Sequence, residues 1–459
     1  MYQIDFNHPI SVYFMGIGGI SMSGLAEILL SKKFSVSGSD MKKSELTTLL
    51  EHKGATVFYG QRAENITDDI DIIVYTAAIH PDNPEWIAMT QKGIPSLSRA
   101  QLLGEIMRNY DLPVAISGTH GKTTTTSMIS EILLKADADP TLSIGGILKS
   151  IDGNFRIGNS KYFITEACEY TNSFLSLFPK ISIILNIDAD HLDFFKDIQD
   201  IRNSFQKFTK LLPADGTLII NHDIESRKEI TDSLSCSCIT YGFDTECDYY
   251  ASDITYDALA HPVFTVHDKH HEDMQIQLSI PGKHNVSNAL AAIAFADVCK
   301  IPREAVSQAL TAFNGTNRRF EKKGEIGGVT IIDDYAHHPT EITATLQAAK
   351  NYPHKTTWCV FQPHTYTRTK ALLHDFAKAL SIADHVVLAD IYAARETDTL
   401  GISSKTLQSE IQKLGTDCHY FPCFDEIENF ILENCTQGDL LITMGAGDIV
   451  KVGESLLGK

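Results

Sequence analysis

The sequence predicts an α/β protein built on parallel sheets and divided into about three domains. Its 459 residues exceed what one ordinary core supports, since domains cluster at roughly 100–150 residues. Twice, at residues 11–30 and 112–129, an apolar run of strand character leads through a glycine-rich turn into helical periodicity, the order of a βα unit. Further apolar runs end in dense polar clusters as far as Met444-Gly445-Ala446-Gly447-Asp448, and open α/β sheets bind ligands at such carboxyl ends.

Composition narrows the class. Lys plus Arg total 39 against 58 Asp plus Glu, a net charge of −19, whereas nucleic-acid and anionic-membrane surfaces need clustered basic residues. Neither partner is expected, and any polyphosphate must be held by local groups. The nine cysteines are scattered, and the close pairs Cys236/Cys238 and Cys418/Cys423 lack the spacing of a zinc site, so reduced, buried thiols are expected. Residues 1–9 carry Asp5 and no apolar leader, and no run approaches the roughly 18–20 apolar residues that span a bilayer. A cytoplasmic protein is expected.

The first segment opens with Ser11-Val12-Tyr13-Phe14-Met15, then Gly16-Ile17-Gly18-Gly19-Ile20-Ser21, then the helically spaced Leu25, Ile28 and Leu29. A strand, a glycine turn and a helix start are predicted. The next strand, residues 34–40, ends in Asp40, the place of a ribose-binding carboxylate in a Rossmann-like fold. Ser21 stands where the third glycine belongs, so the turn indicates a pyrophosphate without deciding whether NAD or another nucleotide carries it. Residues 70–75 lead into Thr76-Ala77-Ala78-Ile79-His80, another strand-end loop.

The second segment starts near Asn109. Apolar residues 112–116 precede Ser117-Gly118-Thr119-His120-Gly121-Lys122-Thr123-Thr124 and a helix. In such a phosphate loop the backbone N–H groups and the helix's positive end surround a polyphosphate, Lys122 reaches its terminal phosphates, and the Thr123 hydroxyl ligates Mg²⁺. ATP or GTP is the expected ligand, although Ile116 stands where the full GxxxxGK[ST] pattern has its first glycine. Residues 162–165 end in Glu166-Ala167-Cys168-Glu169, and residues 181–187 in Asp188-Ala189-Asp190-His191. A parallel sheet would bring both ends beside the phosphate loop, making Glu166 and His191 candidate metal ligands with Thr123. Mg²⁺ prefers oxygen, and the imidazole hints that Mn²⁺ can substitute. Asn285 and Asn288, three apart at the start of an alanine-rich helix, suit either an adenine edge or an N-cap.

The third segment follows Asn317-Arg318-Arg319-Phe320, whose arginines suit phosphate. Residues 329–332 end in Asp333-Asp334-Tyr335-Ala336-His337-His338, and residues 358–361 in Gln362-Pro363-His364-Thr365-Tyr366-Thr367-Arg368. Polar density at successive strand ends points to a ligand-binding domain.

Taken in order, these blocks resemble the Mur ligases of peptidoglycan precursor synthesis over the whole chain. The carriers are GIGGISMSG with SGSD, TAAI and NPE, SRAQLLGE, GTHGKTTTT, EACEY, NIDADHLD, PGKHNVSNA, NRRFE, DDYAHHPTE, QPHTYTRTK and GAGD. The resemblance implies three domains: a Rossmann-like one for a UDP-sugar (1–108), a central P-loop ATPase with a parallel sheet (109–316), and a C-terminal Rossmann-like one that closes on the nucleotide (317–459). It reassigns the first glycine turn from NAD to the UDP diphosphate.

The activity implied is ATP-dependent joining of L-alanine to the carboxylate of UDP-N-acetylmuramate through an acyl phosphate, with Mg²⁺ as the ion. A recycling ligase that attaches a whole murein tripeptide to the same sugar is the neighbouring reading. Carried onto this chain, Gly118, Thr119, His120, Gly121, Lys122, Thr123 and Thr124 hold phosphates, Thr123, Glu166 and His191 hold metal, and Asn288 meets adenine. Arg319 and Asp334 reach the nucleotide from the third domain, while His337 and Arg368 lie nearest the alanine. Gly16, Gly18, Gly19, Ile20, Ser39, Asp40, Thr76, His80 and Arg99 face the UDP-sugar. His337 and His338 are the imidazoles available as a base or as orienting groups. The expected partners are these small molecules, and the expected assembly is a monomer or homodimer.

Overall fold

The computed structural model describes residues 3–232, 234–394 and 396–459. Three sheets organise them, in the α/β class that the glycine turns and strand-end clusters predict. The first has five parallel strands in the chain order 3-2-1-4-5, with Ser11–Met15 at its centre between Ser35–Asp40 and Ile72–Tyr75. Ser11–Met15 is buried along almost its whole length, as a strand covered on both faces must be.

The central sheet has ten strands. Leu112–Ser117 lies inside a parallel core, flanked by Tyr162–Glu166 and Ile181–Ile184, with Thr141–Leu148, Thr217–Asn221 and Ser237–Gly242 beyond. Antiparallel strands extend both edges, which the expectation of a parallel sheet did not include. Gly153–Arg156 pairs back on Thr141–Leu148, and Tyr249–Tyr256, Pro262–Asp268 and Met274–Gln277 form a meander. The reason lies in the connections: a parallel crossover needs about a dozen residues or more, and the gaps 257–261 and 269–273 are too short for one. The third sheet has six strands, parallel except for the edge strand Glu321–Ile326.

The alanine-rich helix Lys283–Val298 is buried nearly all round, and its small side chains let it lie against the phosphate-loop helix Lys122–Lys135. All nine cysteines are free, but only Cys247, Cys359 and Cys418 are buried, while Cys168, Cys238 and Cys423 are exposed. Spacing reports pairing and says nothing of depth. Among the described residues no helix is long and apolar enough to cross a membrane.

Two kinds of junction join the sheets. The first domain shares a continuous apolar core with the central one, running from Phe14, Val36 and Leu103 to Phe163, Phe174 and Phe205. Among the described residues the third domain's two apolar clusters draw only on positions from 320 onward. The core junction is tight at Gly104 in the helix Arg99–Met107, where an added methyl carbon would come within 1.9 Å of the Ser176 carbonyl oxygen. Gly104→Ala is expected to destabilise the chain by about 1–3 kcal/mol, read as a lower denaturant midpoint.

Candidate active site

The phosphate loop leaves the carboxyl end of Leu112–Ser117 and enters the helix Lys122–Lys135. Gly118 and Gly121 adopt φ of +140° and +82°, and a methyl carbon on Gly121 would lie 2.7 Å from Asn288 Oδ1. Backbone conformation and close approach both exclude side chains there. The neighbouring strand end braces the loop: Asn186 accepts from His120 N at 2.8 Å and donates to His120 O at 3.0 Å, and Asp188 N donates to Thr119 Oγ1 at 2.9 Å. Asn288 is buried and donates to Asn285 Oδ1 at 3.1 Å, while Asn285 donates to Pro281 O at 2.7 Å. Both line the cleft beside the phosphate loop, and Asn285 anchors Asn288 there.

Lys122 Nζ donates to the carbonyl oxygens of Gly118 and Thr119 and pairs with Glu169 Oε2 at 3.0 Å. Burial opposes its charge, but Glu169, joined by Cys168 and Glu166, outweighs burial, so its pKa is raised. Thr123 Oγ1 donates to Glu166 Oε2 at 3.2 Å, and Gly145 N donates to Glu166 Oε1 at 2.6 Å. On the far side of Glu169, His191 Nε2 lies 3.9 Å from Oε1, and the His191 ring stacks on Tyr170 at 4.5 Å.

A hydroxyl and a carboxylate at a helix start are the hard oxygen donors that Mg²⁺ takes. They fit it as a site completed by phosphate, since at this strand end no three acidic, thiol or imidazole ligand atoms of described residues gather within 4.8 Å. Such a group does exist at Asp268, His271 and Asp297, but Arg303 Nη2 already lies 2.6 Å from Asp297 Oδ2 and 2.9 Å from His271 Nδ1.

Across the cleft, the adjacent arginines divide their work. Arg318 donates to Asp333 Oδ2 at 2.9 Å and to the carbonyls of Gly445 and Gly447 at 2.8 and 3.0 Å, binding the third sheet's loops together. Arg319 lines the cleft with His120, Asn288 and Asp334. Asp334 accepts from Phe320 N and Ala336 N at 2.8 Å each, and burial raises its pKa to about 6.

His120 bridges the domains, its Nε2 lying 3.2 Å from Asp188 Oδ2 and its Nδ1 3.2 Å from Glu341 Oε1. Burial opposes the imidazolium, but the two carboxylates prevail and raise its pKa to about 9 from 6.5. A raised folded pKa gives stability that is complete below pH 6.5 and lost as the pH climbs through about 9. The thermal midpoint of the native chain is therefore expected to fall more steeply between these values than that of His120→Gln.

A second cleft lies between His191 and Arg368. Arg368 Nε and Nη2 donate to Asp190 Oδ1 at 3.1 and 3.0 Å. Burial works against the Asp190 charge, but Arg368, with His191 and His338, overrides it and holds that carboxyl well below the usual range. His337 turns Nδ1 toward Tyr335 O at 3.0 Å and Glu341 Oε2 at 3.2 Å, and burial lowers its pKa to about 4, so the ring is neutral near pH 7. His338 caps the helix Pro339–Ala349, accepting from Thr340 N at 3.3 Å, and faces Ala189 O at 3.4 Å.

In the first domain, Ile20, Ser21 and Arg99 line one cavity with Glu166 and Cys168, and Arg99 donates to Ser21 Oγ at 3.0 Å. Asp40 is turned inward, accepting from Gly18 N at 2.9 Å and Met41 N at 2.7 Å. Ser39, expected to face the sugar, is instead fully buried, its hydroxyl donating to Glu85 Oε2 at 2.7 Å beneath the turn. Alternation along the strand sends its side chain to the face opposite Asp40, which points at the glycine turn. Thr76 packs against Gly16 and accepts from Ala78 N at 3.0 Å, and His80 is exposed beyond it.

The residues that sequence reasoning left out of the site are Glu169, Asp188, Asp190 and Glu341. Their signal was present, since all four stand in the polar blocks, but pairing of Glu169 with Lys122 across 47 positions, of Asp190 with Arg368 across 178 and of Glu341 with His120 is invisible in a linear chain.

Three α/β domains, with a phosphate loop in the middle one facing two polar clefts, define an ATP-dependent amide-bond-forming ligase, and the chain belongs to the Mur ligase family. The profile of the Mur ligase middle domain matches residues 116–296, that of the Mur ligase family catalytic domain residues 11–111, and that of the Mur ligase glutamate ligase domain residues 318–447. The chain is 59% identical over 459 residues to the UDP-N-acetylmuramate–L-alanine ligase of Agathobacter rectalis, covering 100% of both chains. It is 60% identical over 458 residues to the enzyme of the same name from Lachnospira eligens, again covering 100% of both. Among solved structures, the UDP-N-acetylmuramate–alanine ligase of Thermotoga maritima superposes with a TM-score of 0.79 at 28% identity, over 98% of each chain. A murein peptide ligase from Psychrobacter arcticus follows with 0.69 at 26%, also over 98% of each.

Proposed function

We infer that this chain joins L-alanine to the carboxylate of UDP-N-acetylmuramate at the expense of ATP, giving UDP-N-acetylmuramoyl-L-alanine, ADP and phosphate. The observation that carries this reading is that one stretch, Glu166 to Tyr170, borders both the Arg99 cavity and the Arg368 cleft: Glu166 and Cys168 line the former, and Tyr170 lines the latter. A sugar-borne carboxylate and a free amino acid would meet there, beside the phosphate loop. The names of the two full-length relatives support the same substrates. Among solved structures, the TM-score of 0.79 to the alanine ligase, against 0.69 to the murein peptide ligase, favours a single amino acid over a peptide.

A carboxylate at pH 7 resists nucleophiles, so the γ-phosphoryl group first converts it to an acyl phosphate. The alanine amine then attacks, and the tetrahedral intermediate expels phosphate. Lys122 exchanges Glu169 for the phosphates and stabilises charge on the transferring group. Thr123 and Glu166, with His191 opposite, would hold Mg²⁺ or Mn²⁺, which supplies neutralisation of the phosphoryl and carboxylate oxygens. Asn288 meets adenine, while Arg319 and Asp334 reach the nucleotide from the third domain. Arg368, bidentate and always charged, takes the alanine carboxylate by releasing Asp190. His337, neutral, offers Nε2 toward the amine. The proposed domain limits are 1–108, 109–316 and 317–459.

Phosphate release from ATP and Mg²⁺ with UDP-N-acetylmuramate tests the reading. Release that depends on L-alanine is expected. Release that depends only on L-Ala-γ-D-Glu-diaminopimelate would overturn it in favour of peptide recycling.

A further inference from the structure

Among the described residues the third domain adds nothing to the apolar core that the first two share, so its register against the phosphate loop must be set by other contacts. We propose that Glu341 is the positioning residue that does so, tying the phosphate loop to Arg319 and His337 and thereby assembling the nucleotide site.

Its carboxylate faces three stretches of chain at once. Oε1 lies 3.2 Å from His120 Nδ1 in the phosphate loop and 3.7 Å from Arg319 Nη1 in the interdomain connection. Oε2 accepts from His337 N at 3.0 Å and lies 3.2 Å from His337 Nδ1. The side chain is 12% exposed, so its charge depends on these partners and on the positive end of the helix Pro339–Ala349, in whose first turn it sits.

Position separates this arrangement from a bridge that merely holds domains together. A buried ion pair is on balance a weak source of stability, and one that served only to fasten two domains would have no reason to sit in a ligand cleft. Here Glu341, His120 and Arg319 all line the cleft that Asn288 and Asp334 border. The same carboxylate orients His337, so nucleotide grip and the amino-acid side of the site share one anchor. Without its charge, Arg319 is released from Oε1, and His120 is left with Asp188 and the His338 ring, 4.7 Å away, as its near titratable neighbours.

The inference rests on the proposed ligase reading, and native chain run in parallel separates the two: native chain without alanine-dependent phosphate release would sink that reading, not this one. With native chain active, Glu341→Gln is expected to raise KM for ATP and lower kcat, by at least about tenfold in kcat/KM, the loss of one charge-assisted contact. The Kd for UDP-N-acetylmuramate, bound in the first domain, should stay within about twofold by calorimetry. Glu341→Asp should recover part of the loss, and His120→Gln should raise KM for ATP in the same direction. If Glu341→Gln does not fold, the Asp and His120 variants decide by those same readouts. A Glu341→Gln chain with native kcat and KM and only a lower thermal midpoint would overturn the proposal, as would an equal loss of sugar binding.

Discussion

Lys122→Ala is expected to lower alanine-dependent phosphate release by about a thousandfold or more, the scale of removing a preorganised charge from phosphoryl transfer, while leaving UDP-N-acetylmuramate binding nearly native. The structure adds a second consequence. Glu169, 2% exposed, depends on Lys122 Nζ at 3.0 Å, and removing one partner of a buried pair costs about 3–5 kcal/mol. The single variant should therefore be both inactive and less stable. Lys122→Ala with Glu169→Gln removes the stranded charge, so its stability should return toward native while activity stays absent. Measured by phosphate release and denaturant midpoint, persistence of turnover in Lys122→Ala would refute the role given to this lysine. Stability unchanged by the single substitution would refute the pairing.

The adjacent arginines should fail in opposite ways. Arg318 serves the buried Asp333 and two loop carbonyls, so Arg318→Ala strands a carboxylate and should destabilise the third domain by about 3–5 kcal/mol. Arg319 pairs with Glu341 at 3.7 Å and keeps an open face on the cleft. Arg319→Ala should thus fold with a near-native thermal midpoint and lose about 10²-fold or more in kcat/KM for ATP. Full ATP turnover by Arg319→Ala would refute both its role and the closure of the third domain over the nucleotide.

Much of the site was legible because its chemistry is local. Gly118, Gly121, Lys122 and Thr123 form one loop, and the physics of that loop needs only backbone N–H groups, a helix start, a lysine and a hydroxyl in a short stretch. The carboxyl ends of parallel strands announced Glu166 and His191 for the same reason. Ser39 was misplaced because adjacent strand residues face opposite sides, and the sequence does not say which side holds Glu85. Residue chemistry did not separate Arg318 from Arg319, and only the family resemblance singled out Arg319; their difference is made by Asp333, 15 positions on, and by the loop at Gly445, 127 positions away.

Taken by itself, then, the chain determined the α/β class, the phosphate loop and the succession of ligand-bearing strand ends, because strand, turn and helix signals act over a few residues. Only the tertiary structure decided that Glu169 holds Lys122, that Asp190 holds Arg368, and that Glu341 joins His120, Arg319 and His337. Those pairings follow from strand order and domain packing, which bring groups with buried charge to within about 3–4 Å, where burial leaves each one dependent on its partner.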